Sequence, residues 1–160
     1  MTGPASCTCQ ITAMKQAHPP TYFLVALVLM VLLHVAVPMY RFWTVPLSLF
    51  GIVPLAIGVV LNLVADRRFK QQGTTVKPFE QSAALVTDFP FSISRNPMYV
   101  GLTLMLLGVA LLLGSTSSLI PVLLFPPVMN RVFIREEERQ LAATFGTDWE
   151  RYRVTVRRWI

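Results

Sequence analysis

The chain has 160 residues, of which 54% are hydrophobic and only 14% charged, with a formal net charge of +6. Soluble domains carry about 25% charged residues, and here the deficit is concentrated in long apolar runs, which excludes an ordinary soluble fold. The length suits one domain, and a positive-inside charge bias explains the basic surplus more simply than nucleic acid binding does.

Residues 1–20 read as a flexible leader ahead of a single membrane-embedded domain at 21–160. The leader has a lone Lys15 and no small-residue cleavage site after a short apolar core, so the first apolar run is expected to stay in place. Cys7 and Cys9 form a C-x-C pair with no His or further Cys nearby, which favours an exposed pair without a role; no metal is expected. His18, before Pro19 and Pro20, is expected to be solvated.

Four apolar runs are candidate spans, at 22–40, 45–65, 98–114 and 119–134. A spanning helix needs roughly 20 residues, which the first two runs supply and the last two reach by extending into their flanks. His34 lies mid-span in the first run, and bonding to a neighbouring helix is its expected role. Ser115-Thr116-Ser117-Ser118 reads as the tight link of a helical hairpin, and Pro121, Pro126 and Pro127 predict a bend in the last span. The 66–97 link is long, and its apolar residues Phe79, Leu85, Val86, Phe89, Phe91 and Ile93 suggest that it lies against the membrane face. After the last span, 135–144 forms helix readily, Phe145-Gly146 supplies a stop, and 148–152 begins another turn. Trp149 and Trp159 suit the headgroup interface.

Charge assigns the faces. Arg67, Arg68, Lys70, Lys77 and Arg95 lie between the second and third spans, and seven arginines follow residue 130. All eight acids obey the same partition. Both termini and the 66–97 link are therefore expected in the cytoplasm. The predicted fold is all-α, a polytopic membrane protein with four transmembrane helices and a C-terminal cytoplasmic helical segment.

Two polar clusters sit at matching ends of adjacent spans. The first is Ser-Arg-Asn-Pro-Met-Tyr-Val-Gly at 94–101. Pro97 fits the first turn of a helix, the residue before a proline is pushed out of the helical region so that Arg95-Asn96 should form a bent entry, and a helix N-terminus favours an anionic group. The second is Arg135-Glu136-Glu137-Glu138-Arg139, where Glu137 and Glu138 stand at the membrane boundary and need a cationic partner. An arginine, a helix N-terminus, carboxylates and aromatic faces suit a zwitterionic, cationic ligand such as S-adenosylmethionine. Its carboxylate would meet Arg or amides, its ammonium or hydroxyls would meet Glu, and its sulfonium would meet aromatic faces.

Arg-x-Pro-x-Tyr-x-Gly at 95–101 resembles the signature of the isoprenylcysteine carboxyl methyltransferase and phospholipid methyltransferase superfamily. Glu-Glu-x-x-Leu-x-x-x-Phe-Gly-x-x-Trp-x-x-Tyr, at 137–152, is similar to that superfamily's C-terminal signature, in the same order. The resemblance covers roughly 60–160 and implies a cofactor-binding half at about 66–160. It implies methyl transfer from S-adenosylmethionine to a lipophilic or lipid-anchored acceptor, an isoprenylcysteine-type carboxylate or a phospholipid amine, near the cytoplasmic face. Carried over by position, Arg95, Asn96, Pro97, Tyr99, Gly101, Glu137, Glu138 and Tyr152 would bind the cofactor. Arg95, Glu137 and Glu138 would carry catalysis, with Arg135 and Arg157 as weaker candidates. Asn96 stands where the prenylcysteine enzymes usually have histidine; it can hydrogen-bond but cannot titrate near neutral pH. Two other readings stay open, a membrane reductase using NADPH and a small four-helix transporter. The four runs contain no acidic residue, which argues against the transporter.

Overall fold

A computed structural model of the chain describes residues 18–37, 47–71 and 85–160. The expectations for the leader with Cys7 and Cys9, for the 41–44 link, and for Lys77 and Phe79 fall outside the described residues. Among the described residues the secondary structure is helical throughout, with no strand.

The first helix, α1, spans Pro19–Ala36 and opens on prolines in its first turn, where a missing N–H costs nothing. A 3-10 turn at Leu47–Gly51 leads into α2, Ile52–Gln71. Helix α2 runs further than the sequence suggests: Arg67, Arg68 and Lys70, expected in the loop, lie in its last turns. The reason is local. Lys70 pairs with Asp66 one turn back at 2.6 Å, and cations near a helix C-terminus complement its dipole. Helix α3 spans Pro97–Leu113, and a 3-10 turn at Thr116–Ser118 joins it to α4, Leu119–Met129, as the serine-rich link predicts.

From α4 the helix does not stop. It passes through a π-helical stretch, Asn130–Ile134, and continues as α5, Arg135–Phe145. Pro126 and Pro127 inside α4 have no N–H to offer the carbonyls of Val122 and Leu123. The helix answers this disturbance with a π-bulge rather than a break. An inserted residue turns the helix beyond it by roughly 100°. Gly146 then ends α5, and α6 covers Thr147–Thr155.

Among the described residues three helices are long and apolar enough to cross a membrane, Pro19–Ala36, Ser48–Gln71 and Thr116–Phe145, and Pro97–Leu113 is a shorter apolar helix. Their apolar side chains are turned outward. Leu24, Val25, Val28, Leu32 and Val35 of α1 and Val53, Ile57, Val60 and Leu63 of α2 are all exposed, the inverse of a soluble protein and the pattern a lipid solvent requires.

Neighbours alternate in direction. Tyr22 near the start of α1 meets Phe133 edge-on at 5.3 Å, while His34 Nδ1 lies 2.8 Å from Ser115 Oγ at the other end. The expected bond from His34 to a neighbouring element is thus present. Helices α2 and α3 pair along their length through glycine. A Cβ on Gly51 would stand 2.5 Å from the Gly108 carbonyl, and one on Gly58 would stand 2.5 Å from the Gly101 carbonyl. Small residues let helices approach closely in membranes, where apolar burial supplies no drive between helices. Here they recur one heptad apart on both partners, the spacing that keeps one seam in register between supercoiled helices.

The antiparallel arrangement gathers the start of α1, the end of α2, the start of α3 and the whole of α5 and α6 at one polar end. Two cores follow. One lies between α1, α3 and α4 around Leu106, Phe125, Met129 and Phe133. The other lies at the polar end, where Val86 and Phe91 of the 85–96 segment join Ala65, Trp149 and Tyr152. Phe91 and Val86 are therefore core residues, whereas Phe89 and Ile93 are exposed. Trp149 corrects the sequence reading: it is only 2% exposed and packs in this second core rather than at an interface.

Candidate functional site

The approach to α3 is bent at Arg95, and the residue before the proline is kept out of the helical region. Asn96 takes φ −130° and ψ 56°, and Pro97 opens the helix. This bend carries Arg95 off the helix axis and over the indole of Trp149, with the guanidinium carbon 5.7 Å from the ring centroid. The π-bulge sets the register of α5 so that its first turn faces α3. The two clusters then meet. Arg95 Nη1 lies 3.2 Å from Glu138 Oε1, with the two side chains only 10% and 12% exposed.

This pairing leaves unused capacity. Arg95 Nε and Nη1 are buried and have no hydrogen-bond partner, so the close approach to Glu138 is an ion pair without hydrogen-bond geometry. A buried guanidinium with free donors is costly unless an acceptor meets them. Burial lowers the Arg95 pKa from its ordinary value, and the charge of Glu138 opposes the shift. A further anionic acceptor such as a carboxylate would satisfy the orphaned donors.

Glu137 points elsewhere. Its Oε1 accepts a 2.7 Å hydrogen bond from the Tyr99 hydroxyl, and the Tyr99 ring stacks near Phe133 at 6.4 Å. The two adjacent carboxylates thus take different partners, arginine for Glu138 and a phenol for Glu137.

The remaining predicted residues hold the site together. Asn96 is buried, and its Nδ2 donates to the Arg158 carbonyl at 3.1 Å. Its own backbone N–H donates to Ser94 Oγ at 3.1 Å. Pro97 is buried in the first turn of α3. Gly101 lies in the α2–α3 seam, where a Cβ would collide with Asn62. The Tyr152 hydroxyl donates to the Phe91 carbonyl at 2.7 Å, which ties α6 to the 85–96 segment. Burial pushes the Tyr152 pKa up to about 12, with Arg95 pulling the other way. The side chains of Arg135 and Arg157 are exposed.

Sequence reasoning missed Arg158. Its Nε donates to Glu138 Oε1 at 3.0 Å, its Nη2 donates to Glu138 Oε2, and its Nη1 donates to Asn130 Oδ1 at 3.2 Å. The hydrogen bond to Glu138 raises its pKa above the ordinary value. Arg158 neighbours Arg157 in a basic tail, and nothing in the local pattern separates the two.

The Phospholipid methyltransferase family model matches residues 47–148, which include the α2–α3 seam, Arg95, Tyr99 and both carboxylates. The chain belongs to that family. An uncharacterized protein of Haemophilus influenzae is 40% identical over 63 residues, covering 39% of this chain and all of that protein. The protein-S-isoprenylcysteine O-methyltransferase of Schizosaccharomyces pombe is 40% identical over 75 residues, covering 45% of this chain and 30% of that protein. The chain thus matches less than a third of the length of the yeast relative. No solved structure matches the chain. Family and apolar helices together make this a membrane methyltransferase.

Proposed function

We propose that this protein transfers a methyl group from S-adenosylmethionine to a lipophilic acceptor at the cytoplasmic face of the membrane. The acceptor is an isoprenylcysteine-type carboxylate or a phospholipid amine. The observation that carries the reading is the meeting of Arg95 and Glu138 at the polar end of apolar helices, with buried guanidinium donors left unmatched. Four spans, with both termini and the polar end in the cytoplasm, agree with the alternating helix directions and the positive-inside bias.

S-adenosylmethionine when bound supplies an electrophilic methyl group on a cationic sulfur. The chain's own residues bind and orient it. Arg95 receives the carboxylate through Nε and Nη1. Glu138 supplies negative charge for the ammonium or ribose hydroxyls. Asn96, Pro97, Gly101 and Tyr152 act from behind, fixing the bend at the start of α3, its seam with α2 and the floor under Arg95. Tyr99 and Glu137 face the acceptor: a carboxylate acceptor needs no base, whereas an amine must lose a proton, and Glu137 is the group to take it. Holding donor and acceptor in line is the main contribution of such a site.

Calorimetric titration of the purified protein in detergent with S-adenosylmethionine tests the reading. Saturable binding that is lost in Arg95→Ala and Glu138→Ala supports it. No binding under several lipid conditions sinks it, and preference for NADPH would turn the reading toward a reductase. Incubation with methyl-labelled cofactor and total membrane lipid then identifies the acceptor by which species gains the label.

A further inference from the structure

Arg158 lies outside both sequence motifs, and the reaction outlined above gives it no task. Its surroundings are nevertheless built. Two guanidinium nitrogens grip the two oxygens of Glu138, Nε to Oε1 and Nη2 to Oε2, and a third reaches Asn130 on the π-bulge. The main chain around it is held as firmly. The Arg158 carbonyl accepts from Asn96 Nδ2 at 3.1 Å and from Ser94 Oγ at 3.3 Å, and the Arg157 carbonyl accepts from the Arg95 N–H at 3.0 Å. The segment after α6 is thereby stitched to the approach to α3.

Two guanidinium groups compete for one carboxylate here. A fork of two parallel hydrogen bonds fixes a carboxylate in rotation as well as position. Arg158 takes that fork, and Arg95 is left with a charge contact and unpaired donors. Without Arg158, Glu138 could turn and form the same fork with Arg95, consuming the donors a ligand needs.

We propose that Arg158 is a positioning residue of the methyl-donor site: its grip on Glu138 withholds that carboxylate from Arg95 and leaves the Arg95 donors to the ligand. The role rests on the donor reading above. Asn96 is the latch of this arrangement. What its position requires is an N–H donor to the Arg158 carbonyl, and a titrating group is unnecessary there.

The test is a double-mutant cycle on the full chain in detergent. S-adenosylmethionine affinity is measured by calorimetry for wild type, Arg158→Met, Glu138→Gln and the double variant, with the ligand-free melting point of each as the measure of folding. Arg158→Met is expected to weaken binding about tenfold, within the range for residues of one ion-pair network. Arg158→Lys, which cannot form the fork, should recover only part of the loss. In the Glu138→Gln background the Arg158→Met change should cost little more, because Arg158 acts only through Glu138. Wild-type affinity in Arg158→Met, or an equal loss in both backgrounds, overturns the role. If Arg158→Met does not fold, Asn96→Ala and Arg158→Lys take its place, and unchanged affinity in both folded variants overturns it equally. A wild type that binds no S-adenosylmethionine overturns the donor reading itself, and the role with it. A wild type that binds, with additive losses, overturns the role of Arg158 alone.

Discussion

The hydroxyl of Tyr99 donates a 2.7 Å hydrogen bond to Oε1 of Glu137, joining the first turn of α3 to the first turn of α5. Each residue belongs to one of the two sequence motifs. The bond is a direct contact between those motifs, separate from the ion pair of Arg95 and Glu138.

That contact carries a stability cost when broken. In Tyr99→Phe the half-buried carboxylate loses its donor while the ring and its stacking on Phe133 remain. The expected loss is about 1–3 kcal/mol, the range for a hydrogen bond to a charged group or an unmet buried one. Glu137→Gln should cost less, because a carboxamide oxygen still accepts. Urea unfolding in detergent, followed by far-UV circular dichroism, reads both. A Tyr99→Phe protein as stable as wild type would show the bond to be idle.

Two glycines should fail for different reasons. At Gly58 a Cβ would sit 2.5 Å from the Gly101 carbonyl and 2.8 Å from Met105 Cγ, so Gly58→Ala must push α2 off α3. About 1–3 kcal/mol is expected for such overpacking. At Gly146 a Cβ meets nothing within 4 Å, but φ is +50°, a conformation L side chains rarely adopt. Gly146→Ala should cost about 1–3 kcal/mol from the backbone alone. Leucine, which is not β-branched, separates the causes: the loss should grow steeply with side-chain size at position 58 and barely at 146. Thermal unfolding of the four variants measures this, and equal growth at both positions would contradict the assignment.

Tyr152 gives a pH dependence with a definite sign. Its folded pKa is pushed from the ordinary 10.0 up to about 12 by burial. Above pH 10 the unfolded chain therefore releases this proton while the folded chain keeps it. Stability from this group is fully present below pH 10 and is lost as pH rises from 10 to 12. The loss should reach about 1 kcal/mol by pH 11, since one pKa unit corresponds to 1.36 kcal/mol. Comparing unfolding midpoints at pH 8 and pH 11 for wild type and Tyr152→Phe isolates it, because the variant lacks the ionising group. An equal alkaline loss in both proteins would assign the effect to other residues.

Much of this architecture was readable from composition. Runs with almost no charge, punctuated by Ser115–Ser118 and Pro97, mark the helices, because a membrane tolerates only backbone that satisfies itself. Other features were not readable. The extension of α2 to Gln71 and the continuity of α4 into α5 through Pro126 and Pro127 depend on how charged ends and a π-bulge are accommodated, which apolarity does not report. The burial of Trp149 follows from Arg95 and the 85–96 segment folding over it, and a tryptophan beside a membrane looks the same in sequence wherever it packs.

The candidate site divides along the same line. By itself the sequence determined that an arginine and two carboxylates stand at matching ends of adjacent apolar helices, and that their motifs resemble those of membrane methyltransferases. This information is local, carried by residue type, spacing and the neighbouring proline. Only the tertiary structure decided which partner each charge takes: Glu137 to Tyr99, Glu138 to Arg158, and Arg95 to a carboxylate that leaves its donors free. The reason is physical. Near a membrane face each buried charge must find its counter-charge, and that choice depends on helix register, on the π-bulge and on the return of the C-terminal segment. None of these is encoded within reach of the residues it pairs.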